Sequence, residues 1–222
     1  MASKPIGLLG GTFDPIHFGH LRLAQEVADA LSLAEVRFIP GGTPPHRATP
    51  QTSAAHRLAM VKLAVAGNAL FNVDARETLR DGLSYTFDTL TALRSELGAE
   101  QPLVWIMGAD AFLGFNRWRR WQEIFALTHL AVAHRPGAAL ADIKDATLAR
   151  VFAQRRVSDA QSIQHAAAGA LIEVPITALD ISATAIRATL HERQQGRSAR
   201  YLTTDIVLQY IERNQLFLKG NS

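Results

Sequence analysis

The sequence predicts an α/β protein with a Rossmann-like, mainly parallel sheet, helices on both faces and a small C-terminal helical appendage. Three observations lead there. Short apolar runs alternate with longer segments whose apolar residues recur at three- and four-residue spacings, as strand–helix–strand units require. The runs at Val36–Pro40 and Leu103–Met107 are compact and bounded by turn residues, as in strands covered on both faces. The first run ends in glycines just before a helical segment, which exposes backbone N–H groups to a phosphate.

In chain order, Ile6–Leu9 reads as the first strand, Gly10 to His20 as its turn, and Leu21–Leu31 as the helix that follows. Val36–Pro40 is the second strand, and His56–Val65 and Phe71–Val73 continue the alternation. Tyr85–Leu97 carries helical spacing behind Ser84, and Leu103–Met107 runs into Gly108-Ala109-Asp110. Trp121–Phe125 is a short helix, and Leu130–Ala133 and Leu171–Val174 are further strands. Ile181–His191 and Thr204–Asn214 are helical, each opening on a Ser, Thr or Asp cap. Ala138 to Gly169 is alanine-rich and carries no pattern strong enough to place elements. The expected organisation is a single domain over 1–222, with 181–222 as its C-terminal helical part.

Composition narrows the function. The 222 residues are 48% hydrophobic and 19% charged, ordinary for a globular chain able to bury a full core. A net charge of only +3 suits an anionic small molecule and calls for no nucleic-acid partner. The chain has no cysteine, which excludes disulfides, thiolate nucleophiles and thiolate metal sites. No apolar run approaches the roughly 20 residues of a membrane span, and Met1–Pro5 does not resemble a signal peptide. A cytoplasmic location without a membrane partner is expected; oligomeric state is left open.

His17 and His20 stand three residues apart at the first helix start. One could simply cap the helix; as metal ligands they lack a third partner. With Gly10, Gly11, Thr12, Phe13 and Asp14-Pro15 beside them, donors to a polyphosphate are the favoured reading. Ser182 and Thr184 are expected to cap the late helix and leave N–H groups free, with Arg187 reaching a polyphosphate; a capped helix with a surface arginine is the plain alternative. In Pro40–Arg47, His46 and Arg47 offer phosphate donors after a strand, or form an ordinary surface loop. Ser84-Tyr85-Thr86 offers N–H groups to an anion, or is a routine N-cap. Asp110 suits ribose hydroxyls or a hydrated metal, or is a helix cap. Trp118 offers a flat face to a planar ring, or packs inside. Arg117-Trp118-Arg119-Arg120-Trp121 also fits an RNA-binding patch, but over five residues only.

Gly-Gly-Thr-Phe-Asp-Pro-Ile-His-Phe-Gly-His at 10–20 resembles the HxGH signature of the nucleotidyltransferase superfamily, and Ile181-Ser182-Ala183-Thr184-Ala185-Ile186-Arg187 resembles its second signature. Pro40–Arg47, Ser84–Leu90, Gly108–Phe112 with Trp118, and Ala133–Gly137 narrow the resemblance to bacterial nicotinate-nucleotide adenylyltransferases. Nearly the whole chain is covered, apart from about 140–170. The resemblance implies adenylyl transfer from ATP to nicotinate mononucleotide, giving deamido-NAD and pyrophosphate, with Mg2+. It implies His17, His20 and Arg187 as catalytic groups. Gly10, Gly11, Thr12, Phe13, Asp110, Arg135, Ile181, Ser182 and Thr184 would lie toward ATP, and His46, Arg47, Tyr85, Thr86, Trp118 and Arg119 toward the acceptor, with no protein metal ligand. Backbone N–H groups at Thr86 and Arg119 are the implied carboxylate donors. The family often has an aromatic residue where this chain has Arg119. Alternatives are another HxGH enzyme with a pantetheine-phosphate or nicotinamide-mononucleotide acceptor, and a non-catalytic nucleotide- or RNA-binding protein.

Overall fold

The computed structural model describes residues 3–43, 49–135, 143–177, 179–192 and 196–218. Strands β1 (Ile6–Gly11), β2 (Glu35–Pro40), β3 (Phe71–Val73), β4 (Leu103–Gly108), β5 (His129–His134), β6 (Arg156–Val157) and β7 (Leu171–Pro175) form one sheet. Its order is β3-β2-β1-β4-β5-β7-β6, and every pairing is parallel. The chain builds outward from β1 to β2 and β3, then crosses back to place β4 on the other side. That reversal is a topological switch point, where open α/β sheets bind ligands. β1 pairs with β2 as far as Gly11–Pro40, but with β4 only from Ile6–Leu103 to Leu8–Trp105. Beyond Trp105 the two strands are no longer paired, so the ladder ends short of their carboxyl ends at the switch point.

Helices α1 (Phe18–Leu31), α2 (Ala54–Val65), α3 (Thr86–Leu97), α4 (Ala109–Leu113), α5 (Trp121–Ile124), α6 (Ala146–Arg155), α7 (Gln161–Gln164), α8 (Ala183–His191) and α9 (Asp205–Arg213) cover the sheet. Alternation along the strands sorts them between two faces. Val104 and Ile106 of β4 turn to a core with Val27 of α1, Val61 of α2, Ile186 of α8 and Ile211 of α9. Leu103, Trp105 and Met107 turn to the opposite core, with Leu90 of α3, Phe112 of α4 and Leu148 of α6. The C-terminal helices thus lie on the α1–α2 face, where the His56 ring meets the Tyr210 hydroxyl at 2.9 Å.

All six strands read from sequence are present, each within a residue or two of its expected ends. β6, α6 and α7 fall in the segment left unassigned; β6 is two residues long and α7 four, too short to show a period. Helix α1 begins at Phe18 rather than Leu21, because His17 is its N-cap and Gly19 is helical despite its poor propensity.

Candidate active site at the carboxyl edge of the sheet

The turn after β1 is shaped by close packing. A Cβ on Gly10 would sit 2.6 Å from the Trp105 ring, and one on Gly11 2.8 Å from the Phe13 ring. Phe13 is buried at a left-handed φ of 49°, which turns the chain sharply out of the sheet. The buried Asp14 carboxylate accepts from the Gln51 N–H at 2.7 Å and the Thr52 hydroxyl at 2.6 Å. Its backbone carbonyl accepts from Arg187 Nη1 at 2.7 Å.

The two histidines stack, their ring centres 3.7 Å apart. The His17 N–H donates to His20 Nδ1 at 3.3 Å, so a neutral His20 ring carries its proton on Nε2. The His20 N–H itself goes to the His17 carbonyl at 2.9 Å, and His17 Nδ1 is buried without a hydrogen-bond partner. Burial pushes the His17 imidazole down to about 4, so it is uncharged at neutral pH. A Cβ on Gly19 would lie 3.0 Å from the His17 ring and 3.6 Å from the Ile181 carbonyl. Gly19 therefore makes room for a protein neighbour as well as for any ligand.

The second signature meets the first here. Ser182 is the N-cap of α8, and its hydroxyl accepts from the Ala185 N–H at 3.1 Å. Thr184 does not cap: it lies inside the first turn, and its hydroxyl accepts from Arg187 Nη2 at 3.2 Å. Arg187 is thus held by Thr184 and Asp14 together, which ties the capped helix α8 to the β1 turn. Arg135 follows β5, half of a wide ion pair with Asp180 at 3.8 Å.

At the start of α3, Ser84 does not cap the helix. Its hydroxyl accepts from the Gly42 N–H at 3.2 Å, while Tyr85 is the N-cap and makes no side-chain capping bond. The N–H groups of Asp88 and Thr89 reach the Tyr85 carbonyl, leaving those of Thr86 and Phe87 without an acceptor inside the helix. Arg119 stands over this end, its guanidinium 4.7 Å from the Tyr85 ring centre and Nη1 3.2 Å from Asp88 Oδ2. Where the family often has a ring, a cation therefore packs on one. Trp118 makes edge contacts with Phe115 at 5.3 Å and Trp105 at 6.4 Å between centres. Because Trp105 also packs under Gly10, the acceptor-side tryptophan is joined to the β1 turn. Asp110 is exposed in the first turn of α4, whose N-cap is Gly108, so it is not a cap. His46 and Arg47 lie outside the described residues.

Comparison with known proteins identifies the family. The cytidylyltransferase-like family model matches residues 8–189. A protein of Dechloromonas aromatica described as a probable nicotinate-nucleotide adenylyltransferase is 49% identical over 97% of this chain and 98% of its own length. One of Pseudomonas putida with the same description is 46% identical over 99% and 98%. The chain belongs to the nicotinate-nucleotide adenylyltransferase family. Among solved structures, a Plasmodium falciparum nicotinic acid mononucleotide adenylyltransferase complexed with NaAD superposes with a TM-score of 0.71, over 97% of this chain and 98% of that one, at 15% identity. That likeness speaks for the fold.

In this nicotinate-nucleotide adenylyltransferase relative, sequence reading found both signatures but missed what assembles them. Arg57, the fourth residue of α2 and only 1% exposed, donates to the carbonyls of Thr12 at 2.9 Å, Gly42 at 2.8 Å and Gly41. Asp14 and Trp105 have the same supporting role. An arginine at an otherwise core-facing helix position was the available signal.

Proposed function

We propose that the protein transfers the adenylyl group of ATP to nicotinate mononucleotide, forming deamido-NAD and pyrophosphate. The observation that carries this reading is that Arg187 is tied to the Asp14 carbonyl in the turn that leads to the stacked His17–His20 pair, while Trp118 reaches the start of the same turn through Trp105 beneath Gly10. The acceptor phosphate attacks the α-phosphorus in line; the bond from that phosphorus to the bridging oxygen breaks, and pyrophosphate leaves with the electron pair. A phosphate is already nucleophilic near neutral pH, so the protein has to position two anions and stabilise charge.

His20, with its proton on Nε2, donates to the α-phosphate oxygens, and the donation strengthens as charge builds there. His17 and Arg187 serve the β- and γ-phosphates, joined by first-turn N–H groups of α8 after Ser182 and by Arg135. N–H groups near Gly10 to Phe13 complete the cradle, and Asp110 faces the ribose. On the acceptor side Trp118 stacks on the pyridine, and the uncapped N–H groups at Thr86 and Phe87, with that of Arg119, take the carboxylate. An amide would turn its own N–H groups toward these donors, which favours the acid.

Among the described residues there is no cluster of three or more His, Asp or Glu side chains able to hold a metal. On this reading Mg2+ arrives on the phosphates of ATP, with the exposed carboxylate of Asp110 available to its hydration shell. Magnesium would offset part of the polyphosphate charge. The test is His20→Ala: kcat should fall at least about 100-fold while both KM values change little, since the lost interaction belongs to the transition state. A near-normal kcat would remove His20 from the mechanism.

A further inference from the structure

The turns that leave β1 and β2 carry the two halves of the proposed site. The β1 turn, through Thr12 and Phe13, faces ATP. The β2 turn, through Gly42 and Ser84, leads to the Tyr85 end of α3 and the acceptor. One guanidinium joins them. Arg57 Nη1 donates to the Thr12 and Gly41 carbonyls, and Nη2 to the Gly42 carbonyl at 2.8 Å.

Three further backbone groups in the described part of the β2 turn are held as well. The Gly41 N–H donates to the Gly11 carbonyl at 2.9 Å, the Gly42 N–H to Ser84 Oγ at 3.2 Å, and the Thr43 carbonyl accepts from the Ser84 N–H at 3.0 Å. Removing Arg57 would take this donor from the carbonyls of Thr12, Gly41 and Gly42, and its side chain bonds to both turns at once. Burying the guanidinium opposes its charge, and the neighbouring Asp14 carboxylate favours it. That same Asp14 holds Thr52 just ahead of α2 and, through its carbonyl, Arg187 of the second signature.

We propose that Arg57 is a positioning residue for the transfer, setting the distance between the ATP-side turn and the acceptor-side turn without touching either substrate. Its planar fork is what allows three carbonyls from two turns to share one side chain; a lysine nitrogen cannot reproduce it. The inference rests on the adenylyl-transfer reading above. It goes beyond that reading by predicting that productive juxtaposition, rather than affinity for either nucleotide, depends on Arg57. Misplacement by about 1 Å in such a site lowers turnover about 100-fold.

The test uses the full chain, with wild type, Arg57→Lys and Arg57→Ala assayed for deamido-NAD formation from ATP, Mg2+ and nicotinate mononucleotide. Folded fraction is measured alongside by circular dichroism, and binding of each nucleotide separately by calorimetry. The expected result is a kcat per folded protein reduced about 30- to 100-fold in both variants, with individual affinities within about threefold. Millimolar guanidinium should restore part of the kcat of Arg57→Ala and none to wild type. Wild type without turnover would overturn the adenylyl-transfer reading itself. With wild type active, a variant kcat within about threefold of it, losses that track unfolding alone, or no guanidinium rescue would each overturn the role of Arg57. Failure of both variants to fold would mark the residue as purely structural and overturn it too.

Discussion

Neutral His17 makes acid sensitivity a quantitative matter. Its ring is buried and its folded value lies near 4 against 6.5 for the free side chain. The unfolded chain therefore binds a proton that the folded chain refuses, and stability falls as pH drops below about 6.5 until the folded value is reached. The full difference corresponds to about 3 kcal/mol, of which about 2 kcal/mol is lost between about pH 7.5 and pH 5. The perturbation is His17→Gln, which keeps a polar side chain and removes the titration. Urea unfolding of both proteins at the two pH values gives the loss in each. Buried His129, whose value burial also lowers, and Glu77, whose value burial raises, act alike in both proteins and cancel in the comparison. Wild type should lose about 2 kcal/mol more than the variant on acidification. Parallel losses, within about 0.5 kcal/mol, would show that His17 is not held neutral and would refute the reasoning.

Two further substitutions probe the acceptor side. Gly42→Ala would place a Cβ 2.2 Å from the Glu77 carbonyl and 2.9 Å from Ser84 Oγ, whereas on Gly41 the nearest atom is 3.6 Å away. Gly42→Ala should therefore cost about 2 kcal/mol or more in urea unfolding and raise KM for the acceptor, while Gly41→Ala stays within about 1 kcal/mol of wild type. Trp118→Ala should raise KM for nicotinate mononucleotide about tenfold and leave that for ATP within about twofold, as steady-state kinetics would show; equal losses for both would contradict stacking on the pyridine.

What was legible from sequence has a physical pattern. Strands flanked by turn residues, such as Leu103–Met107, are readable because both faces are buried and the ends are punctuated. The signatures were readable because glycines, histidines and an arginine at fixed spacing rarely coincide without a shared ligand. Buried polar tethers were not. Arg57 sits in a helix whose pattern otherwise says core, and Arg94 of α3 donates to the carbonyls of Gly98, Ala99, Gln101, Leu127 and Ala167, partners up to 73 residues distant. Such bonds depend on which loops the fold brings together, and spacing along the chain does not encode that. Ser84 is the instructive case: a serine before a helix reads as a cap, yet its hydroxyl is taken by Gly42, and that substitution of partner leaves the first turn of α3 open.

The most direct measurement supplies purified protein with ATP, Mg2+ and either nicotinate or nicotinamide mononucleotide, following pyrophosphate release and confirming the dinucleotide by mass. The site described here predicts rapid turnover with the acid, and with the amide a kcat/KM lower by about 100-fold or more. Comparable turnover with both would contradict the carboxylate site at the start of α3. Turnover with neither would contradict the proposed reaction itself.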